Sequence, residues 1–351
     1  MKFKQLISAV AVIVILLSCA SCGLSDKSSD PDTKAKSYYE YFDTVSVIIS
    51  YLGDSESDFN ANCDAVSELL QKYHRLFDIY YEYSGINNLK TVNDNAGIAP
   101  VEVDDELIDF LLYAKDIYNI TNGKTNIAMG AVTALWHKAR EDAADSPESA
   151  YLPSPDDIAE AMKHCDINSL IIDKTGGTVF ISDADMRLDV GALGKGYATE
   201  LAAKLLEERR ATSYVLNIGG NIRTVGSKPS GEGWVTGITN PDKSSDESFV
   251  TRVVIKDTSL VTSGDYERFY TVGGINYHHI IDPLTGMPAR YFSSVSVFAK
   301  DSGLADALST ALFCMSYEDG IKLVDKLGDV EVIWVTAEGE VKMTENIEIF
   351  S

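Results

Sequence analysis

Asp189-Val190-Gly191-Ala192-Leu193-Gly194-Lys195-Gly196-Tyr197 joins a short extended segment, residues 187–190, to an Ala- and Leu-rich stretch, residues 195–209, that reads as a helix. Three glycines in six residues let backbone approach a ligand closely, and the N–H groups at a helix start can hold phosphate oxygens. The spacing is neither G-x-G-x-x-G nor the P-loop pattern, so a tight structural turn and a phosphate cradle stand equally at this point. The surroundings of this junction decide the fold class. Short strands precede it at 170–172 and 179–181, and others follow at 214–218, 234–238, 250–255 and 293–298. A helix from about 303 to 315, a shorter one to about 327 and a strand at 330–335 complete the chain. Upstream, residues 41–51 have strand composition. Residues 59–76 carry Cys63, Val66, Leu69, Leu70 and Tyr73 at helical spacing. A second helix starts near Asp104, whose acidic first turn suits the helix dipole. Residues 141–155 are acidic with Ser and Pro, and read as a surface loop. Strands and helices alternate irregularly, which predicts an α+β fold rather than a regular doubly wound sheet.

The 351 residues are 45% hydrophobic and 24% charged, an ordinary globular balance. Thirty basic residues against 53 acidic ones leave a net charge of −23. Such a surface repels phosphate backbones, so no nucleic-acid partner is expected. A dinucleotide bound to it needs a metal ion or backbone donors to offset its charge. Cys63, Cys165 and Cys314 lie far apart without metal-ligand spacing and read as buried small hydrophobes.

Residues 1–22 read as an export signal. Lys2 and Lys4 precede an apolar run over residues 6–17, too short for a ~30 Å hydrocarbon core that needs about 20 residues. Leu16-Leu17-Ser18-Cys19-Ala20-Ser21-Cys22-Gly23 resembles the lipobox of bacterial lipoproteins, in which a cysteine is acylated and becomes the new N-terminus. Cys19 is the preferred lipidation site and Cys22 the alternative; a cleaved signal without lipid is the competing reading. Residues 23–37, mostly Ser, Asp and Lys, read as a flexible tether, which leaves 38–351 as the folded domain. The expected location is the extracytoplasmic side of a bacterial cell membrane, held by the lipid anchor.

Three further segments invite a chemical reading. Asn217-Ile218-Gly219-Gly220-Asn221 suits a hairpin turn as well as a ligand contact. Ser263-Gly264-Asp265-Tyr266 precedes Tyr277-His278-His279-Ile280-Ile281-Asp282-Pro283-Leu284-Thr285-Gly286, where a histidine stands near a carboxylate and is a natural general acid or base. Ala305-Asp306-Ala307-Leu308-Ser309-Thr310-Ala311 puts Asp306 and Thr310 one turn apart on a helix. A carboxylate plus a hydroxyl suits a hard cation such as Mg²⁺; a helix-start aspartate with a back-bonded hydroxyl is the alternative.

Together and in order, these segments resemble the ApbE family of FAD:protein FMN transferases over about residues 41–341. Residues 279–286 and 305–310 are the sharpest matches. The resemblance implies a single ApbE-like (T-fold-like) catalytic domain with mixed or antiparallel sheets and flanking helices. It places flavin-binding positions on Phe42, Tyr80, Lys124-Thr125-Asn126, Asp189, Lys195 and Ile280. It gives Mg²⁺ the main-chain oxygen of Ala192 and the side chains of Asp306 and Thr310, and gives His279 the transfer step. The implied reaction is attack by an acceptor threonine hydroxyl on the FMN-side phosphorus of FAD, with AMP leaving. The implied acceptors are extracytoplasmic redox-complex flavoproteins with an Asp-x-x-Ser/Thr-Gly-Ala-Thr motif. Phe42, Lys124-Thr125-Asn126 and Asn221 depart from the commoner Met, Ala-Phe-Asp and Asp of the family. An FAD pyrophosphatase using water, or a flavin-binding lipoprotein without chemistry, are the rival readings.

Overall fold

The structure, a computed structural model, describes residues 33–51 and 54–350. The export signal, Cys19 and Cys22 lie outside the described residues. The N-terminal part contains β1 (Thr33–Tyr38), β2 (Ser46–Tyr51), α1 (Glu56–Phe77), α2 (Leu89–Asp94), β3 (Val101–Glu102) and α3 (Asp105–Ile120). Next come α4 (Gly130–Asp145), α5 (Pro155–Ala161), β4 (Leu170–Asp173), β5 (Thr178–Ile181) and α6 (Gly194–Glu208). A β-rich stretch follows with β6 (Ser213–Ile218), β7 (Asn221–Gly226), β8 (Trp234–Thr239), β9 (Phe249–Ile255), β10 (Ser259–Gly264), β11 (Phe269–Val272), β12 (Ile275–His278) and β13 (Phe292–Ala299). The chain closes with α7 (Ser302–Phe313), α8 (Tyr317–Leu327), β14 (Glu331–Thr336) and β15 (Val341–Met343).

An eight-stranded sheet of order β1-β2-β6-β7-β10-β13-β14-β15 organises the fold, and every pairing in it is antiparallel. Both faces are covered, which explains why its strands read as near-continuous apolar runs. Successive side chains point to opposite faces. On β2 and β6, Ile48, Tyr214, Leu216 and Ile218 meet the core shared with α1 and α6. Val47, Ile49 and Val215 turn the other way, onto the β8–β9 hairpin with Trp234, Ile238, Val253 and Ile255. The α+β expectation holds.

Local signals place the helices. On α1, Ser55 Oγ accepts the Asp58 N–H at 3.0 Å, and Phe59, Cys63, Val66, Leu70, Tyr73 and Phe77 form one buried stripe. The thiols of Cys63 and Cys314 are buried and that of Cys165 half-buried, all three free; desolvation pushes Cys63 up to about 12.

Three expectations are corrected. Residues 33–37, read as tether, belong to β1, which pairs with β2 along its whole length. Its alternating exposed and half-buried residues, with Lys34 and Lys36, fit a charged edge strand. Residues 141–145, read as loop, are the last turn of α4, whose buried stripe is Val132, Trp136, Ala139 and Ala143. Residues 187–190 form no strand; Arg187 makes an isolated bridge to Met129.

Candidate active site

The crossing of α6 over α7 is the densest part of the site. A Cβ on Gly196 would fall 2.3 Å from Asp306 Cβ and 2.4 Å from the Ser302 carbonyl, so only glycine lets the two helices approach this closely. The Gly196 N–H, which in a regular helix would bond the Ala192 carbonyl, donates instead to Asp306 Oδ2 at 2.8 Å. Three oxygens are left without donors among the described residues: the Ala192 carbonyl, Asp306 Oδ1 and the Thr310 hydroxyl. Asp306 is only 5% exposed. Burial raises its pKa, against Lys195 and the Gly196 N–H, which lower it. A buried carboxylate with one free oxygen, a hydroxyl one turn on and a carbonyl freed from its helix form a hard donor set. The residues present fit Mg²⁺.

The two histidines of 278–279 are sharply different. His278 is 3% exposed, and its Nε2 lies 2.7 Å from the Ala289 carbonyl. A carbonyl only accepts, so Nε2 carries the proton, while Nδ1 accepts the Ile280 N–H at 3.2 Å. Desolvation, helped by the nearby Arg290, lowers its pKa to about 4, against the hydrogen bond to the Ala289 carbonyl, which raises it. His278 is a structural histidine. His279, one residue on, is exposed. Its backbone N–H and its Nδ1 both reach the Arg268 carbonyl, at 3.0 and 3.3 Å. Nδ1 therefore donates, which leaves Nε2 as a lone-pair acceptor. Partial desolvation, then Arg268, His278, Lys195 and Arg140, hold its pKa below the ordinary histidine value.

The other sequence-predicted residues surround these groups. Asp189 bonds Thr133 Oγ1 at 2.7 Å and the Gly191 N–H at 2.9 Å. Among the described residues, Lys195 Nζ reaches only the Gly191 carbonyl, at 3.3 Å. The Tyr80 hydroxyl shares a 2.9 Å hydrogen bond with His137 Nδ1. Phe42 and its neighbour Asp43 both adopt left-handed backbone, φ 54° and 50°, an uncommon pair for non-glycine residues. Their turn is held by the Phe42 N–H on His74 Nδ1 at 3.2 Å. The side chains of residues 124–126 are all engaged within the protein. Lys124 pairs with the buried Asp282 at 2.9 Å, Thr125 donates to the Ala307 carbonyl at 2.7 Å, and Asn126 donates to the Cys165 carbonyl at 2.9 Å. A ligand at this turn is thus left main-chain atoms. Ile280 is buried in the core cluster that also holds Ala305 and Leu308 of α7. Gly219 and Gly220 form the tight β6–β7 turn, so the hairpin reading of that segment holds.

Thr133, His137, Arg140 and Arg268 adjoin the predicted residues Asp189, Tyr80 and His279 and escaped the sequence reading. The first three repeat on α4 with helical spacing, a pattern that was visible once that segment is recognised as a helix. The His164, Asp183 and Asp185 cluster is a separate His–Asp pair, with His164 Nδ1 2.9 Å from Asp183.

Comparisons with known proteins show the family. The sequence profile of the ApbE family matches residues 43–334. An FAD:protein FMN transferase of Treponema pallidum is 31% identical over 348 residues, covering 95% of this chain and 93% of the relative. One from Haemophilus influenzae is 26% identical, covering 92% and 91%. The crystal structure of an ApbE protein from Thermotoga maritima superposes with a TM-score of 0.78 at 28% identity, over 90% of this chain and 97% of its own. The chain belongs to the ApbE family of FAD:protein FMN transferases.

Proposed function

We propose that this enzyme moves the FMN half of FAD onto a threonine hydroxyl of an acceptor flavoprotein, with Mg²⁺, and releases AMP. The observation that carries the reading is the proton arrangement at His279. The Arg268 carbonyl accepts the hydrogen bond from Nδ1–H, so Nε2 is left to take a proton. A hydroxyl is a weak nucleophile near neutral pH, and a base that stays unprotonated there activates it. As the acceptor oxygen bonds to the FMN-side phosphorus, its proton passes to His279 Nε2, and the phosphorus–oxygen bond to AMP breaks. The side chains of Asp306 and Thr310 and the main-chain oxygen of Ala192 would hold Mg²⁺, which when bound offsets the charge of the diphosphate in a chain of net charge −23. Phe42, Tyr80, the 124–126 turn, Asp189, Lys195 and Ile280 would bind the flavin side of FAD. The test is incubation with FAD, Mg²⁺ and a peptide carrying the acceptor motif, followed by mass spectrometry. One FMN added at threonine per AMP released is expected. AMP with free FMN and an unchanged peptide would instead identify a pyrophosphatase.

The reaction's setting is proposed to be the extracytoplasmic membrane surface, with Cys19, or else Cys22, acylated. The support is the lipobox-like run after a short apolar segment. Among the described residues no helix is long and apolar enough to cross a membrane, so in this reading attachment depends on the cysteines. Replacing both with Ser should release the protein from the membrane fraction while FMN transfer in solution persists. A double variant that stays at the membrane would rule out the lipid anchor.

A further inference from the structure

Helix α4 carries a second stripe beside its buried one. Thr133, His137 and Arg140 follow each other at helical spacing and are all half-buried. The first holds Asp189 at 2.7 Å and the second holds Tyr80 at 2.9 Å. The third has no such partner. Among the described residues, no carboxylate lies within ion-pair distance of the Arg140 guanidinium. Helix α4 packs on β11 through the core that holds Trp136 and Tyr270, and the group that acts most strongly on Arg140 is another guanidinium, Arg268, one residue before that strand.

Arg268 is fixed in turn by its carbonyl, which receives the N–H and Nδ1 of His279. It also lacks an ion-pair partner among the described residues. Lys195 is a third cation near the same ring. Elsewhere in this acidic protein, basic side chains readily find carboxylates, as Lys36, Lys72, Lys138, Lys174 and Lys322 do. Cations that stay unpaired and gather near one another cost stability in the ligand-free protein, and an arriving anion relieves that cost. Guanidinium forks match phosphate oxygens in bidentate geometry, which an ammonium does not.

We infer that Arg140 and Arg268 form a guanidinium pair that grips the diphosphate of FAD beside His279. The pair orients the FMN-side phosphorus toward Nε2, while Thr133 and His137 position the flavin-side residues from the same helix. This rests on His279 being the site of transfer. The experiment compares binding of FAD, ADP and riboflavin to the wild type, Arg140→Gln and Arg268→Gln at fixed Mg²⁺. Each variant is expected to weaken FAD and ADP about 10- to 100-fold, the range for hydrogen bonds to a charged group, and to leave riboflavin unchanged. Arg140→Lys should recover part of the ADP affinity. Wild-type ADP binding by both Gln variants overturns the pair, as does a loss of riboflavin binding equal to that of FAD. His279→Ala, assayed alongside, separates the two levels. Wild-type transfer by that variant removes the site itself. An inactive His279→Ala with ADP-competent arginine variants removes only the pair.

Discussion

The α6–α7 crossing and the wall formed by α4 with the β11–β12 hairpin both carry candidate site residues, yet they are built by opposite rules. At the crossing, Gly196 leaves no room for a methyl group, Asp306 is buried, and its Oδ2 is committed to a backbone N–H. Along the wall, Thr133, His137 and Arg140 are half-buried, and Arg268 and His279 are exposed. A carboxylate that holds a hard cation gains from a fixed position in a low-dielectric setting, where neighbouring charges act strongly. A base that exchanges protons, and cations that admit and release a substrate, need a route to water. Rigidity sits where a ligand would reside, and access where ligands turn over.

The largest effect should come from taking charge out of the crossing. Asp306→Asn keeps an oxygen for the Gly196 N–H, so the fold survives, while Mg²⁺-dependent transfer is abolished. Circular dichroism and an AMP-release assay on the same sample check both halves. Near-wild-type turnover by this variant would mean that the buried carboxylate is only structural, and the contrast between the two regions would collapse.

Next come the adjacent histidines. His279→Ala should lower transfer by about 10²- to 10⁴-fold, the usual contribution of general acid–base catalysis, with little change in stability. His278→Ala should do the reverse, costing about 1–3 kcal/mol because the Ala289 carbonyl loses its buried donor. The pH dependences also differ. His279 is held below the ordinary histidine value, so the acidic limb of the rate profile should lie below pH 6.5 and vanish in the Ala variant. His278 has a depressed folded pKa of about 4 against 6.5. The unfolded chain therefore takes up the proton first as pH falls, and stability present above 6.5 is lost on the way down to about 4. His278→Gln should flatten that part of the stability curve. An activity loss confined to His278 variants would reverse the two assignments.

Gly196→Ala should act through packing. The new methyl cannot fit 2.3 Å from Asp306 Cβ, so the helices must separate, at about 1–3 kcal/mol for an overpacked core. Transfer should fall with it, because Asp306 moves. Alanine at Gly273, whose Cβ would meet nothing within 4 Å, is the control on the open side; its strain is only that of a left-handed turn residue. Equal melting temperatures for the two variants would contradict the dense crossing.

The same contrast governs what the sequence made legible. The crossing announces itself locally: glycines at fixed offsets before a helix, and Asp306 and Thr310 one turn apart. The α+β class likewise follows from strand runs whose two faces are both covered. The wall is written in residues whose role depends on distant partners. The stripe of Thr133, His137 and Arg140 looks like the solvent side of an amphipathic helix, and the acidic residues 141–145 disguise the helix that carries it. The β11–β12 hairpin had a visible signal in Gly273-Gly274, both at positive φ, between two short alternating runs. Edge strand β1 was hidden by its charged face, which sequence composition cannot tell from a tether.

The smallest expected effect tests whether the wall is loose in the way its exposure suggests. Tyr80 is 55% exposed, and its hydroxyl shares a hydrogen bond with His137 Nδ1, while His137 Nε2 lies 3.3 Å from Glu141. Tyr80→Phe keeps the ring and removes only that hydrogen bond. An exposed neutral bond contributes about 0.5–1.5 kcal/mol, so KM for FAD should rise by roughly two- to tenfold with kcat nearly unchanged. His137→Ala removes the same bond from the other side. If positioning of the ring by α4 is what matters, the double variant should cost no more than the larger single one, since both delete one interaction. Fully additive losses would show that each side chain acts independently. A loss carried mainly by kcat would show instead that this hydroxyl is held as tightly, and as close to the reacting atoms, as Asp306.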